Sequence, residues 1–483
     1  MGTEKLMSKY NVKELGARGD GSLETNILQR IIDECAAAGG GVVYFPAGLY
    51  LSGTLTLRSR ITLHLENGAT LKASPDSADF PAVIEPSEER DTAFLFARGE
   101  KSISIIGDGT IDGNGDAFYH VDTPVDETDY DPNLPRQGAA YFKKPYGVED
   151  GPIKPRTVDG RQTRYGTLLL FVECEDLSFR DFNIVGSPNW CLHLAGCKYA
   201  AVHSLNVRNS LLVPNADCID VSNSQNIRIT NCHLEGGDDG IAISPCGDGY
   251  AMMDACHITV SNCTIISRSS AIRIGPGVTR LSNCVFSNLV IHSTNRALGI
   301  FVRNKQIIEN LLFSDIVIET RLHTGWWGAG EPIHISAVPG YYAGDHSMGV
   351  IRNVRFRNIT ARGENGILLY AVDHPDLEFP LQDITLEDVR LEIVNSRLNE
   401  RFGGNIDLRP AHESRYQVFA SDLPGVYARR VKGLSIRNFQ LIWGEGLPEF
   451  FTHGIGCEKC EDVRIENFSG TACHSGEAVH MEN

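Results

Sequence analysis

Two short segments carry more carboxylates than turns alone would need: VPNADCIDV over residues 213–221 and LEGGDDGIAI over residues 234–243. Asp217 and Asp238 stand 21 residues apart, an interval that suits one short coil of a stacked β-structure. Rungs in such a stack lie roughly 4.8 Å apart, so Asp217 is expected one rung from Asp238 and Asp239. Neighbouring strand residues point to opposite faces, so Asp238 and Asp239 share a cleft only if Gly236, Gly237 and Gly240 bend the strand there. Crowded carboxylates repel one another. One of them then keeps its proton toward neutral pH and can serve as a general acid, while the others stay ionised and activate a water. That division of labour is the inverting glycosidase arrangement, with carboxyl groups roughly 6.5 to 9.5 Å apart. Two other uses compete for such residues: aspartates that merely form turns, as expected at Asp315 and Asp388, and a calcium site.

The elements that must position these groups are repeats. From Val42 onward the chain reads as short β-rich runs broken by Gly, Asn and Asp, and near-copies recur: ITNCHL from Ile229, VSNCTI from Val260, LSNCVF from Leu281, FSDIVI from Phe313, FRNITA from Phe356 and IRNFQL from Ile436. Asn231, Asn262 and Asn283 fall at one point of the motif, at intervals of 31 and 21 residues. Repeats of this size built from short strands mean stacked coils. Asn and Asp tolerate the left-handed backbone of a tight corner and can bond from coil to coil. The sequence therefore predicts an all-β chain, a single parallel β-helix over 1–483. An amphipathic helix over 25–38, with Ile27, Leu28, Ile31, Ile32 and Cys35 on one face, is expected to cap its first coil. A β-sandwich is the alternative, disfavoured by the repeats and the scarcity of two-residue hairpin turns. Residues 116–166, rich in Pro, Asp and Tyr and without β periodicity, are expected to form a long loop walling the cleft.

Composition narrows the partners. A formal charge of −17 and a pI near 5.3, with 42% apolar residues, describe a folded chain that the overall field keeps from nucleic acid and anionic membranes. The opening MGTEKLMSKYNVKEL has no apolar signal-peptide core, and no run of about eighteen apolar residues occurs, which points to a cytoplasmic protein unless a leader was removed. The thirteen cysteines, odd in number and set in apolar runs, read as buried thiols. Trp326 and Trp327 are candidates to stack on a sugar face, with core packing as the competing use. Cys457, Cys460, Cys473, His453 and His474 have metal-like types without a second CxxC, so no metal is expected there. GDGTIDGNG lacks a following helix and is a turn run, not a dinucleotide loop. No cofactor is expected.

Taken in order, the opening NVKELGARGDGSLETNILQ, then GTIDGNG, SPNW, NADCIDV and GGDDGIAI, resemble the motifs of the polygalacturonase family of glycoside hydrolases. The resemblance implies a right-handed parallel β-helix and hydrolysis of a glycosidic bond in a pectin-type oligosaccharide or polysaccharide. It implies Asp238 as proton donor and Asp217 and Asp239 as holders of the water, with Asn215 and Asp220 beside them. Two motifs depart from the family. Where it has Gly-His-Gly before Ser-Ile-Gly, this chain has Ser269, Ser270 and Ala271 before Arg273, Ile274 and Gly275. Where it has Arg-Ile-Lys, this chain has Phe301, Val302 and Arg303. Arg273 and Arg303 are thus the candidate cations for substrate binding, with outward-facing structural arginines as the alternative. Exo action on a uronate- or rhamnose-containing chain is the expectation. A β-helical lyase or epimerase and a non-catalytic sugar-binding β-helix are the alternatives.

Overall fold

The computed structural model describes residues 8–85, 91–124, 152–245, 251–323, 325–340, 346–410 and 421–482. Short β-branched runs followed by Asn, Asp or Gly turn and stack, and the result is a parallel β-helix. Thirteen strands, from Leu55–Thr56 to Val479–Glu482, form one parallel sheet in chain order, and a 22-stranded sheet wraps the remaining faces. Alternation sorts each strand: Ile61–Leu65 buries Ile61, Leu63 and Leu65 and leaves Thr62 and His64 partly exposed. Equivalent inward residues stack along the axis. Phe286, Phe313 and Phe356 lie ring on ring at 4.6 and 4.9 Å, so the core is a column of like side chains.

The corners explain the Asn and Asp pattern. Successive coils carry two left-handed residues five apart: His257 and Asn262, Asn283 and Asn288, Asn310 and Asp315, Asn353 and Asn358, Asp383 and Asp388. Their amides bond along the stack, Asn310 to Asn283 at 3.0 Å, Asn353 to Asn310 at 2.7 Å and Asn358 to Asp315 at 2.7 Å. Because Ser261 pairs with Ser287, Asn262 stands opposite Asn288. The 21-residue interval from Asn262 to Asn283 therefore joins two different ladders, and the sequence repeat conflated them.

The helix Thr25–Ala37 buries Leu28, Ile31, Ile32 and Cys35 against the first coil, beside the strands Gly41–Phe45 and Leu55–Thr56. Residues 125–151 of the expected loop lie outside the described residues. Its flanks do form strands: Tyr119–Pro124 runs antiparallel to Ile153–Pro155, and Thr157–Val158 pairs with Arg161–Gln162. Apart from Tyr119–Pro124 these strands have two or three residues, too few for an alternation to read. Among the described residues the cysteines form no disulfide, and no helix is long and apolar enough to cross a membrane.

Candidate active site

Asp217 and Asp239 lead into neighbouring strands of the thirteen-stranded sheet, Ile219–Ser222 and Ile241–Ile243. Ile219 pairs with Ile241, and the Cys218 amide donates to the Asp239 carbonyl at 3.0 Å, so Asp217 stacks on Asp239, with Asp238 one residue out of that register. Asp238 and Asp239 do not sit on a bent strand. They fill the break between His233–Gly236, in one sheet, and Ile241–Ile243, in the other, where alternation no longer separates them. The glycines are there for close approach. A Cβ at Gly237 would come within 2.2 Å of the Val213 carbonyl oxygen, and one at Gly240 within 2.6 Å of the Ala271 carbonyl oxygen.

One carboxylate oxygen from each of Asp217, Asp238 and Asp239 lies within 4.8 Å of the others. This is tighter than the roughly 6.5 to 9.5 Å between carboxyl groups of a simple inverting pair. Asp217 and Asp239 are buried and Asp238 is partly exposed. Burial first, and the Asp239 charge second, push Asp238 up to about 7. Asp217 is raised well above the usual carboxylate range by burial and by Asp220, Asp238 and Asp239. Asp239 is held from two sides: the Ser270 amide donates to Oδ1 at 3.0 Å and Arg273 Nε donates to Oδ2. The Ser269 hydroxyl bonds Asp238, and the Asn215 amide donates to Asp238 Oδ2 at 3.3 Å.

The candidate binding residues divide. Asn215, exposed and left-handed at φ 59°, stands at the mouth, and its side-chain oxygen accepts from Arg164 Nη2 at 3.0 Å. Arg164 also donates to the Tyr119 hydroxyl at 2.6 Å and the Pro214 carbonyl at 3.0 Å, so the described end of the expected wall is pinned to the aspartate rung. Asp220 is buried beside its rung neighbour His193 and adds negative charge behind Asp217. Arg273 reaches into the trio. Trp326 is buried and Trp327 half-buried, and the Trp327 carbonyl accepts from the Asn295 amide at 3.1 Å.

Arg303 is elsewhere. Expected to face a ligand, it is fully buried and donates to the carbonyls of Val302, Ser336, Leu408 and Pro410 and to the Ser336 hydroxyl. Arg296, which opens the strand Arg296–Val302 that Arg303 follows, donates to the carbonyls of Asp407 and Arg409 at 2.8 and 3.2 Å and pairs with Glu331. The Phe301 ring lies between the two guanidinium groups, 5.1 and 5.0 Å from them. Burial works against the charge of Glu331, but Arg296 and the His334 hydrogen bond outweigh it and hold the carboxyl down to about 2. Burial and Arg296 lower His334 to about 4, so its ring is neutral near pH 7. The segment 405–410 thus covers the outer face of the sheet just past Arg273. Sequence reading missed Arg164, Ser244 and Arg296, for which no local motif speaks, because their partners lie 51, 29 and 35 residues away. The Cys457 and Cys460 group forms no metal-like cluster; among the described residues the aspartate trio is the group so drawn together.

Residues 156–248, which contain the whole trio, match the model described as Glycosyl hydrolases family 28. The chain thus carries a glycoside hydrolase family 28 stretch and is similar, at low identity, to polygalacturonases. Within this family context, residues 9–121 match Rhamnogalacturonase A/epimerase, pectate lyase-like, and residues 217–379 match a right-handed β-helix region. The chain is 26% identical over 277 residues to a "Probable polygalacturonase" of Vitis vinifera, covering 54% of this chain and 49% of that protein. It is 27% identical over 263 residues to an exo-poly-alpha-D-galacturonosidase of Dickeya chrysanthemi, covering 50% and 42%. These matches span about half the length of those curated relatives. The solved exopolygalacturonase of Thermotoga maritima superposes over 92% of this chain and 93% of its own, with a TM-score of 0.65 and 21% identity, so it shares the right-handed β-helix.

Proposed function

We propose that this chain is an inverting, exo-acting hydrolase of a pectin-type oligosaccharide containing uronate or rhamnose, working without a metal ion. The observation that carries the reading is the unequal treatment of three adjoining carboxylates. Asp238 is partly exposed and holds a proton up to about pH 7, as a general acid to the leaving sugar must. Both oxygens of Asp239 are engaged, by the Ser270 amide and by Arg273. An oxygen so held is a poor nucleophile and a good anchor for a water. Asp217 stacks on Asp239 and completes the water site. This division supports inversion although the carboxylates are closer than in a simple two-residue pair.

Exo action is supported by the buried cover past Arg273. Arg296, Phe301, Arg303 and His334 have no exposed surface, and the 405–410 carbonyls close over the two arginines. A cover on that face favours a sugar chain whose end lies there. The test is a screen of defined pectin-type oligosaccharides for reducing ends and product size, with Asp238→Asn as the control. Single-sugar or constant-length release that falls about 10²- to 10⁴-fold in the variant supports the reading. An unsaturated, ultraviolet-absorbing product would replace hydrolysis by elimination.

A further inference from the structure

We infer that Arg273 is a positioning residue, a built-in counter-cation that fixes Asp239 and Asp217 as the water-holding pair, and that the sugar reacting beside it is uncharged. This rests on the hydrolytic reading above and names the substrate class of the same site. Arg273 lies on the outer face of the strand Ser270–Ile274, in a ladder that runs Asp220, Ala242, Arg273, Gly299. Its guanidinium is committed to the protein. Nε donates to Asp239 Oδ2, Nη1 to the Ser244 hydroxyl at 2.6 Å and the Gly275 carbonyl at 3.0 Å, and Nη2 stands 4.0 Å from Asp217 Oδ2. Burial opposes its charge, but Asp239, Asp217 and Asp220 outweigh that and raise its pKa above the ordinary value.

The asymmetry is the point. A cation that bonds Asp239 directly stabilises that anion most, because attraction falls with distance, while burial outweighs its pull on Asp217 and Asp238. Asp239 is thereby kept as the anion of the crowded trio, and the proton is left to Asp238 and Asp217, both of which burial raises. The Arg273 guanidinium is matched by Asp239, and the other groups at the reacting centre, Asp217, Asp238 and Asp220, are acidic, so no positive charge is left over there. A carboxylate on the reacting sugar would add repulsion there and need a cation of its own. On the next rung the protein offers none from this strand. The position is Gly299, where a Cβ would meet the Phe301 ring at 2.6 Å, and Arg303 is spent on carbonyls. A neutral or deoxy sugar fits this electrostatic balance, and uronates are left to more distant subsites.

The test compares the full-length enzyme with Arg273→Gln and Arg273→Lys on paired oligosaccharides whose reacting sugar is either neutral or a uronate. A positioning role predicts a kcat loss of about 100-fold or more for Arg273→Gln on whichever substrate is cleaved, with KM changed less than about threefold. The acidic limb of the pH–rate profile should move up by about one unit, and Lys should recover part of the loss. The wild-type enzyme should prefer the neutral sugar. A loss confined to the uronate substrate, carried by KM with an unmoved pH profile, would make Arg273 a substrate clamp and overturn the inference. Carboxylate carbon NMR titration of wild-type and Arg273→Gln protein labelled at Asp needs no substrate. An upward shift of the trio's titration supports the counter-cation, and superimposable curves refute it. Failure of the wild-type enzyme to hydrolyse any oligosaccharide would instead count against the function, leaving the NMR comparison to judge Arg273.

Discussion

Asp238 is kept protonated by burial and by Asp239, and that has opposite consequences for activity and stability. A general acid must carry its proton, so kcat/KM should fall about tenfold per pH unit above about 7. A profile flat to pH 9 would remove Asp238 from that role. For stability, the folded carboxyl binds a proton between its unfolded value near 4 and its folded value near 7. The native state then holds more protons than the unfolded one, and stability falls as pH rises through that window. Asp238→Asn should therefore be more stable than the wild type at pH 8, by a few kcal/mol at most, and the gain should vanish near pH 4. Paired urea melts at the two pH values check the sign. The trio's residues were legible in the sequence, because GGDDG one coil after NAD has no adequate explanation in turns. Its electrostatics were not. The bonds from Arg273 and Ser270 to Asp239 depend on which residues the next coil sets opposite, and the sequence motif around Ser269 and Arg273 named Arg273 only as a cation.

Strands and corners determine whether the trio forms at all. Gly237 passes within van der Waals contact of the Ser210 and Val213 carbonyls, and these are backbone atoms that cannot turn aside. Gly237→Ala should therefore cost about 1–3 kcal/mol and lower kcat by more than tenfold while the far-ultraviolet circular dichroism stays that of a β-helix. Unchanged kcat would show that the corner tolerates a shift. An exposed ladder amide is a milder matter, and Asn353→Ala, which loses the bond to Asn310, should cost about 1 kcal/mol in urea melts and leave kcat alone. The sequence showed that corners recur and that Asn fills them. It did not show that each of these coils has two left-handed positions, so intervals counted between similar motifs mixed the two. The same limit applied to the aspartate rung, where counting to Asp238 gave 21 residues while the strand pairing sets Asp217 against Asp239.

Across the molecule the solenoid is a long floor, and what differs along it is what covers it. The cover past Arg273 is held by Arg303, whose guanidinium meets four carbonyls and a hydroxyl. Arg303→Met should destabilise the fold by about 3 kcal/mol or more, since those buried acceptors lose their partner, and should loosen 405–410 enough for longer products to appear in digests. Unaltered stability and product size would mean that the cover is held by Arg296 alone. The cover was invisible in the sequence because its partners lie more than 100 residues apart, and Arg303 was a candidate cation for the substrate only through its place in a motif resemblance, with a structural arginine as the alternative. The architecture itself, a capped parallel stack, was readable because every coil repeats the same inward and outward alternation. The central claim, that Asp238 protonates the leaving sugar while Asp239 and Asp217 hold a water, is tested most directly by proton NMR of the first product formed from a cleaved oligosaccharide. Attack by that water predicts a fresh product of anomeric configuration opposite to the bond cleaved. A product that retains the configuration would make one of the held carboxylates a nucleophile and contradict the account.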